Sequence, residues 1–443
     1  MGSPASHSEL LIATVLLDIA LVLVAGTLLG RWVRRLRQPA VIGEILAGVA
    51  LGPSLLGLLP GNPTAWLFPA EARPFLSTVA QIGLALFMFL IGWEFNPAQL
   101  RSHRGTAAAV SIGSIAVSFG LGVALATLLY HRHDTVGADR VGFTEFALFL
   151  GVAMSITAFP VLARILAERR LTGTRVGSIA LISAAIDDVL AWCLLAVVTA
   201  IVTASGPFDL IRMLILLAVF LVVLRTVVRP FLVFLTRRHA TTYLLVAVVA
   251  LVFLAAYVTT WIGLHAIFGA FCVGLVMPRD PAPELGERVR RPLEHVSVVL
   301  LPVFFIVTGL GVDIGGLTGA NLLELAAIVL IATCGKLIGA IVPAVSFGMS
   351  WRDAGTLGIL VNTRGLTELV VLSVGLQLGV LDGQMFTMMV LMALITTALA
   401  GPLIRSGRTQ STSPTDQDPA AHSSGHSVPS MRTGRTTTPP WSR

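Results

Sequence analysis

Two adjacent carboxylates lie in the middle of a long apolar stretch. Asp187 and Asp188 interrupt residues 176–203, which otherwise carry apolar and small polar side chains. If this stretch crosses a bilayer, an ionised carboxylate at its centre costs roughly 2.5–3.5 kcal/mol on insertion scales, so two in succession indicate a function. Neighbouring helical positions point about 100° apart, so one carboxylate can face an aqueous cavity while the other faces a partner helix.

Lys336 is the candidate partner of this pair. The chain has 30 Lys and Arg residues, and Lys336 is its single lysine, placed inside the apolar segment Ile331–Gly339. A buried ammonium can release its proton, whereas a guanidinium effectively cannot, so lysine suits a proton-coupled role. The alternative is a fixed Asp187–Lys336 ion pair that only holds helices together, and one pair can do both.

Two other apolar stretches contain a break in the helical pattern. In Thr157–Pro160 the proline lacks an N–H and crowds the carbonyl of Ile156, so the helix must open there. Carbonyls freed by such a break, together with the Thr157 hydroxyl, are oxygen ligands suited to Na⁺ or K⁺. The alternative is a plain proline kink, which membrane helices tolerate.

The second break is Asn362–Gly365, which places Arg364 and Glu368 at membrane depth. Both are secondary candidates for the site because charges at that depth mark ion pathways. Glu44, near the start of another apolar stretch, fits either a helix cap or a gating carboxylate.

The composition predicts the elements that position these residues. The chain of 443 residues is 55% hydrophobic and 12% charged, with a mean hydropathy of +0.88, which excludes an ordinary soluble domain. Roughly 20 apolar residues span a bilayer as a helix, and about thirteen such stretches can be drawn. They are residues 9–30, 40–59, 75–95, 105–130, 142–168, 176–203, 208–235, 241–261, 263–278, 295–313, 320–348, 354–381 and 384–405. We predict an all-α polytopic membrane protein, because a spanning backbone must satisfy its own hydrogen bonds.

The distribution of arginine predicts the orientation. Alternate loops are rich in arginine, and the loops of the other set contain only Arg73, Arg132 and Arg140. We predict a location in the cell membrane, and this positive-inside pattern places the N-terminus outside and the C-terminus in the cytoplasm. It also explains the formal charge of +7 without a nucleic-acid partner. Residues 406–443 are rich in Ser, Thr, Pro and Gly, and we expect a disordered cytoplasmic tail.

Two pairs of segments indicate an internal repeat. Ile42–Gly48 resembles Phe268–Gly274, and Phe87–Gly92 resembles Phe304–Gly309. In both pairs the copies are an odd number of spans apart, so they cross the membrane in opposite directions. Inverted repeats of this kind are typical of transporters, whose substrate site lies near the midplane between the halves.

Enzymatic chemistry and a resident cofactor are not expected. Adjacent aspartates on one helix cannot face each other to share a proton as in aspartic proteases, and HExxH and GxSxG motifs are absent from the sequence. The three cysteines lie in apolar stretches and indicate neither a disulfide framework nor a metal site.

Four motifs together resemble the monovalent cation:proton antiporter-2 family, most closely its Kef-like and plant cation/H⁺ exchanger branches. They are Ser155–Leu166, Asp187–Asp188, Gly335–Lys336 and Asn362–Leu369. The similarity covers residues from about 10 to 405. Plant exchangers often have Asn where Asp187 stands, and Kef-type systems carry a nucleotide-binding domain, so the choice of cation stays open.

The resemblance implies the sodium/proton exchanger fold, with two inverted repeats and crossed broken helices. Residues 9–95 and 241–313 would form a panel that also makes a homodimer interface, residues 208–235 a linker, and residues 105–203 and 320–405 a core. It also implies that Asp188 carries cation and proton alternately. Asp187 would pair with Lys336, and Thr157 would line the site, with Ser155 as a secondary candidate.

The sequence therefore predicts an antiporter that exchanges Na⁺ or K⁺ for protons by alternating access, with cation and proton competing at a midplane aspartate. The expected partners are the two transported ions, the lipid bilayer and a second copy of the chain. Two alternatives stay open, a channel-like K⁺ efflux protein on the same scaffold and a non-transporting membrane sensor.

Overall fold

The computed structural model describes residues 7–36, 38–94, 104–169, 171, 174–204, 206–237, 241–278 and 286–403. This part of the chain is helical apart from loops and one short hairpin, β1 (Thr135–Val136) with β2 (Asp139–Arg140). The predicted cytoplasmic tail lies outside the described residues.

The helices follow one another along the chain with short connections. The first half contains α1 (His7–Arg35), α2 (Ala40–Leu51), α3 (Pro63–Leu67), α4 (Arg73–Glu94), α5 (Arg104–Leu129), α6 (Phe143–Ser155), α7 (Phe159–Glu168) and α8 (Arg175–Thr203), with short 3₁₀ segments at Leu56–Leu58 and Tyr130–Arg132. The second half contains α9 (Pro207–Val223), α10 (Arg229–Arg237), α11 (Thr241–Ile262), α12 (Ala266–Val276), α13 (Arg291–Leu310), α14 (Gly319–Ser346), α15 (Trp351–Val361), α16 (Leu366–Gln377) and α17 (Gly383–Leu403), with π-helical turns at Leu224–Val228 and Gly286–Arg290.

The predicted fold class is confirmed, but the count of about thirteen spans is not. Among the described residues, 10 helices are long and apolar enough to cross a bilayer, or 11 if α15 and α16, bent by 44°, form one span. The predicted stretches 142–168 and 263–278 fold as shorter helices. Each of these helices is shorter than the roughly 20 residues that a spanning helix needs.

The predicted repeat packs reciprocally. A side chain at Gly48 of α2 would clash with the backbone of α13 at Ile306 and Gly309. In the same way, a side chain at Gly274 of α12 would clash with the backbone of α4 at Phe89 and Gly92. Each copy thus packs its first motif against the second motif of the other copy, so the two contacts are equivalent in the predicted repeat.

The helices α5 and α14 cross at two glycines. A Cβ at Gly113 would lie 2.6 Å from the carbonyl oxygen of Gly339, and a Cβ at Gly339 would lie 2.6 Å from the carbonyl oxygen of Gly113. This mutual contact brings the two backbones together without side chains between them. Because Lys336 lies one turn before Gly339, the crossing brings the lysine close to α5.

Both predicted helix breaks are present, and they cross. Residues 156–158 separate α6 from α7, and residues 362–365 separate α15 from α16. The backbone N–H of Ala158 donates to the carbonyl of Thr363 at 3.1 Å, which ties one break to the other. Pro160 lies in the first turn of α7 and not in the break, because a proline there removes no intrahelical hydrogen bond.

A buried histidine joins three helix ends at the edge of the bundle. His133, just after α5, lies 2.6 Å from Asp382 before α17 and 3.3 Å from Glu324 of α14. Arg132 also contacts Glu324, at 2.9 Å. Burial alone lowers the pKa of His133, but hydrogen bonds and charge interactions with Asp382 and Glu324 outweigh it, so the pKa is raised.

The cluster predicts a pH-dependent stability. Because the folded pKa of His133 exceeds the unfolded value of about 6.5, its stabilising contribution is present below that pH and is lost as pH rises through the folded pKa. We expect the wild-type Tm in detergent to fall from about pH 6 to pH 9 more steeply than that of His133→Asn. The exposed His295→Asn is the matched control. Parallel Tm profiles of wild type and His133→Asn would contradict the prediction.

Candidate functional site

The two aspartates lie near the centre of α8, enclosed by other helices. Asp187 is 0% exposed and Asp188 is 5% exposed. One turn earlier, the hydroxyl of Ser183 donates to the carbonyl of Ala107 at 3.0 Å, which fixes α8 against α5. The site is therefore formed where α8 meets α5 and the two helix breaks.

Asp187 is held by hydroxyls and by the lysine. It accepts hydrogen bonds from Ser111 of α5 and from Thr157 in the first break, the latter at 2.7 Å. The Nζ of Lys336 lies 3.5 Å from its Oδ2, and both side chains are 0% exposed. The structure thus brings together the Asp187–Lys336 pair as the sequence predicted.

Lys336 also caps the end of a broken helix. Its ammonium donates to the Thr157 hydroxyl at 2.8 Å and to the carbonyl oxygen of Ser155. Ser155 is the last residue of α6, where carbonyls lack intrahelical partners and the helix dipole is negative. The positive charge therefore compensates a free helix end as well as a carboxylate.

Thr157 connects the lysine, the aspartate and the second half-helix. Its hydroxyl lies 2.7 Å from Asp187 and 3.0 Å from the carbonyl of Val361, the last residue of α15. A hydroxyl has one proton, so it donates to only one of these two acceptors at a time while accepting from Lys336. In this structure Thr157 bonds to Asp187, whereas Asp188 has other partners.

Asp188 lies at the N-termini of two half-helices. The hydroxyl of Thr367, in the first turn of α16, donates to its Oδ1 at 3.1 Å. The backbone N–H of Phe159, the first residue of α7, also donates to this carboxylate. Helix N-termini carry free N–H groups and a partial positive charge, so both ends stabilise an ionised Asp188.

Arg364 and Glu368 form a second buried pair. The guanidinium lies 3.1 Å from Glu368, and both side chains are 0% exposed. It also donates to the carbonyls of Ala153 and Met154, at 3.2 and 2.8 Å. These carbonyls end α6, so Arg364 and Lys336 neutralise the same helix terminus, and Arg364 links the two breaks.

The remaining candidates are placed differently. The Ser155 hydroxyl donates to the carbonyl of Val152 at 2.8 Å, so its carbonyl and not its hydroxyl contacts Lys336. Glu44 lies on α2 beside Gly26 and Gly30 of α1. The structure therefore does not place Glu44 on the helices that enclose the aspartates.

Sequence reasoning missed three hydroxyl groups. Ser111 contacts Asp187, Ser114 lies 3.5 Å from it, and Thr367 contacts Asp188. Ser111 and Ser114 are three residues apart, so they share one face of α5, and this polar face in an apolar helix was a detectable signal. Thr367 lies within a motif that was recognised, but its spacing did not indicate its partner.

The site offers oxygen ligands and exchangeable protons. Within the described ranges, no group of three or more His, Cys, Asp or Glu could hold a metal ion. Around Asp188 the oxygen atoms that could bind a hard cation are those of its own carboxylate and of the Thr367 hydroxyl. The arrangement can bind and release a cation or a proton, and it needs no covalent chemistry.

Comparison with known proteins assigns the chain to a family. The family described as sodium/hydrogen exchanger, transmembrane, matches residues 19–406. A relative in Synechocystis, Na⁺/H⁺ antiporter NhaS4, is 40% identical over 398 residues, which cover 88% of this chain and 96% of the relative.

Longer relatives match over part of their length. Cation/H⁺ antiporter 20 of Arabidopsis thaliana is 38% identical over 88% of this chain and 48% of its own length. K⁺/H⁺ antiporter 1 of Saccharomyces cerevisiae is 38% identical over 83% of this chain and 43% of its own length. The chain thus spans about half the length of these two relatives.

A solved structure shows the same fold. The sodium proton antiporter MjNhaP1 of Methanocaldococcus jannaschii superimposes with a TM-score of 0.63 at 14% identity, covering 89% of this chain and 96% of that one. Sequence, crossed helix breaks and fold agree, and the chain belongs to the sodium/hydrogen exchanger family, whose members are membrane transporters and not enzymes.

Proposed function

We propose that this protein is an antiporter that exchanges a monovalent cation, Na⁺ or K⁺, for protons across the cell membrane. The observation that supports it is a carboxylate, Asp188, at the N-termini of α7 and α16, beside the buried Asp187–Lys336 pair. The names of the related Na⁺/H⁺, K⁺/H⁺ and cation/H⁺ antiporters support the same activity.

The proposed mechanism is competition at one group. Ionised Asp188 binds a dehydrated cation, with the Thr367 hydroxyl and backbone oxygens of the breaks as further ligands. Protonation of Asp188 removes the charge that holds the cation, so the cation leaves. A bare carboxylate at mid-bilayer is costly, so Asp188 is occupied by one ion or the other.

The proposed movement carries this site across the membrane. Residues 105–203 and 320–405 form the moving core, residues 9–95 and 241–313 form the panel and homodimer interface, and residues 208–235 link them. The N-terminus lies outside and the C-terminus inside, following the arginine distribution. The motion presents Asp188 to each face in turn.

The Asp187–Lys336 pair decides the stoichiometry. If Lys336 releases its proton when the cation binds, two protons move per cation and exchange is electrogenic. If Lys336 stays charged, exchange is closer to electroneutral. The three contacts of its ammonium, with Ser155, Thr157 and Asp187, stabilise the charged form, and desolvation opposes it.

Replacement of Asp188 tests the proposed ion site. In proteoliposomes containing a pH dye, wild type should move protons when Na⁺, K⁺, Li⁺ or Rb⁺ is added in turn, and the responses will identify the cation. Asp188→Asn should reduce exchange at least tenfold by rough estimate, because an amide neither binds the cation by charge nor titrates. The matched control is Asp139→Asn, an exposed carboxylate in β2.

Retention of normal exchange by Asp188→Asn would reject the assignment of the site. Cation flux without opposing proton movement in wild type would instead support a channel. Absence of any flux in a folded wild-type preparation would support a sensor.

Replacement of Lys336 tests the proposed stoichiometry. Lys336→Gln should change the dependence of exchange on membrane potential, because it removes a group that can carry a proton through the cycle. Lys336→Arg keeps the charge but not the titration, so it separates proton coupling from ion pairing. Arg352→Gln, at an exposed position, is the control for the removal of a positive charge. The same potential dependence in wild type and in both Lys336 variants would leave the pair a structural one.

A further inference from the structure

An aromatic cluster joins α8 to α12. The ring centroid of Trp192 lies 6.3 Å from that of Phe268, at an interplanar angle of 84°, and 6.5 Å from that of Phe271. All three side chains are less than a tenth exposed. Such pairs fill space tightly and exclude water between the helices.

The cluster lies to one side of the proposed ion site. Trp192 follows Asp188 by one helical turn, about 6 Å along α8 towards Thr203. That end of α8 faces the outside in the orientation proposed above. The aromatic rings therefore lie between the carboxylate and the outer face.

Two long polar contacts lie at the outer rim of the same seam. The hydroxyl of Thr203 lies 3.3 Å from the carbonyl of Gly263, and Nε2 of His265 lies 3.4 Å from the Oε1 of Gln377. Both distances are long for hydrogen bonds. These contacts join α8 and α16 of the proposed core to the chain around the start of α12, in the proposed panel.

The packing of α8 against α12 leaves the indole N–H of Trp192 without a hydrogen bond among the described residues. Its Nε1 is buried and has no hydrogen-bond partner in the part of the chain that the structure describes. An unpaired buried N–H is costly, so a conformation that hydrates it gains that hydrogen bond. This gain offsets part of the free-energy cost of exposing the apolar rings to water.

We propose that Trp192 is a gating residue, whose indole, seated against Phe268 and Phe271, closes the path between Asp188 and the outer face. The gate opens when α8 moves away from α12. An apolar constriction blocks hydrated ions because water does not enter it. This inference rests on the proposed antiport and assigns a position to one of its two gates.

Two native cysteines lie on opposite sides of the gate. Cys193 follows Trp192 on α8, and Cys272 follows Phe271 on α12. Because the rings of Trp192 and Phe271 are 6.5 Å apart, the cysteines that follow them lie beside the same seam. The chain therefore already contains a cross-linking pair that reports whether the seam must open.

The test uses full-length Cys334→Ser protein in proteoliposomes and a short bifunctional thiosulfonate reagent. Linking Cys193 to Cys272 should reduce exchange at least tenfold by rough estimate, because one closed state is locked, and a reductant should restore it. Variants with Cys193→Ser or Cys272→Ser in the same background should keep full exchange after treatment. Mass spectrometry should confirm the linked peptides.

Exchange that continues in cross-linked protein would overturn the gate, and so would failure of the link to form. An untreated chain without exchange would reject the proposed antiport instead. In that case the cross-linking rate still tests the gate, since it needs no transport and should be slower in Trp192→Ala than in Trp192→Phe.

Variants of Trp192 separate gating from packing. A variant that opens the gate more often has a larger fraction of protein with its site open to the outer face. Because apparent affinity scales with that fraction, the cation KM should fall at the outer face and rise at the inner face. For Trp192→Ala, which removes both aromatic pairs, we expect the ratio of the two KM values to change by at least about fivefold, and for Trp192→Phe by less than about twofold. A parallel rise of KM at both faces would overturn the gate and leave Trp192 a packing residue.

Discussion

The need to neutralise free helix ends inside a bilayer governs the centre of this protein. Two breaks separate α6 from α7 and α15 from α16, and each break leaves carbonyls on one side and N–H groups on the other without intrahelical partners. Lys336 and Arg364 compensate the C-terminus of α6, and Asp188 lies at the N-termini of α7 and α16. Removal of any of these charges would leave a helix end uncompensated. The same charges therefore stabilise the fold and form the candidate site.

This arrangement separates two tasks that the sequence places side by side. Asp187 is tied to α5, to the first break and to Lys336, whereas Asp188 contacts the Thr367 hydroxyl and the N-terminus of α7. A carboxylate in the first setting is fixed in place. In the function proposed above, the second carboxylate is the one that exchanges ions, so two adjacent residues of one helix would provide a structural anchor and an exchangeable ligand.

The sequence predicted the charged residues because charges at membrane depth have few structural explanations, and it predicted the breaks from Pro160 and from the motif Asn362–Gly365. It also predicted the repeat, whose glycines meet in reciprocal contacts. It did not predict that Thr157 bonds to Asp187 while Thr367 bonds to Asp188, because those partners depend on how the breaks cross. The meeting of His133 with Glu324 and Asp382 depends likewise on folded helix ends. The count of spans from apolar length exceeded the 10 or 11 that the described helices support. An apolar stretch in the sequence does not show whether it folds as one helix long enough to cross the bilayer or as shorter, broken helices.

The glycine contacts also constrain how the protein can move. Where α2 meets α13 and α4 meets α12, backbone touches backbone, and no layer of side chains can change rotamer to absorb sliding. These four helices must behave as a rigid frame during any shear. Mobility is thereby confined to boundaries lined by large side chains, which have alternative rotamers. In a transporter that works by alternating access, one rigid half lets the other half move as a unit when an ion binds. A flexible frame would deform instead, and the two halves would not shift relative to each other.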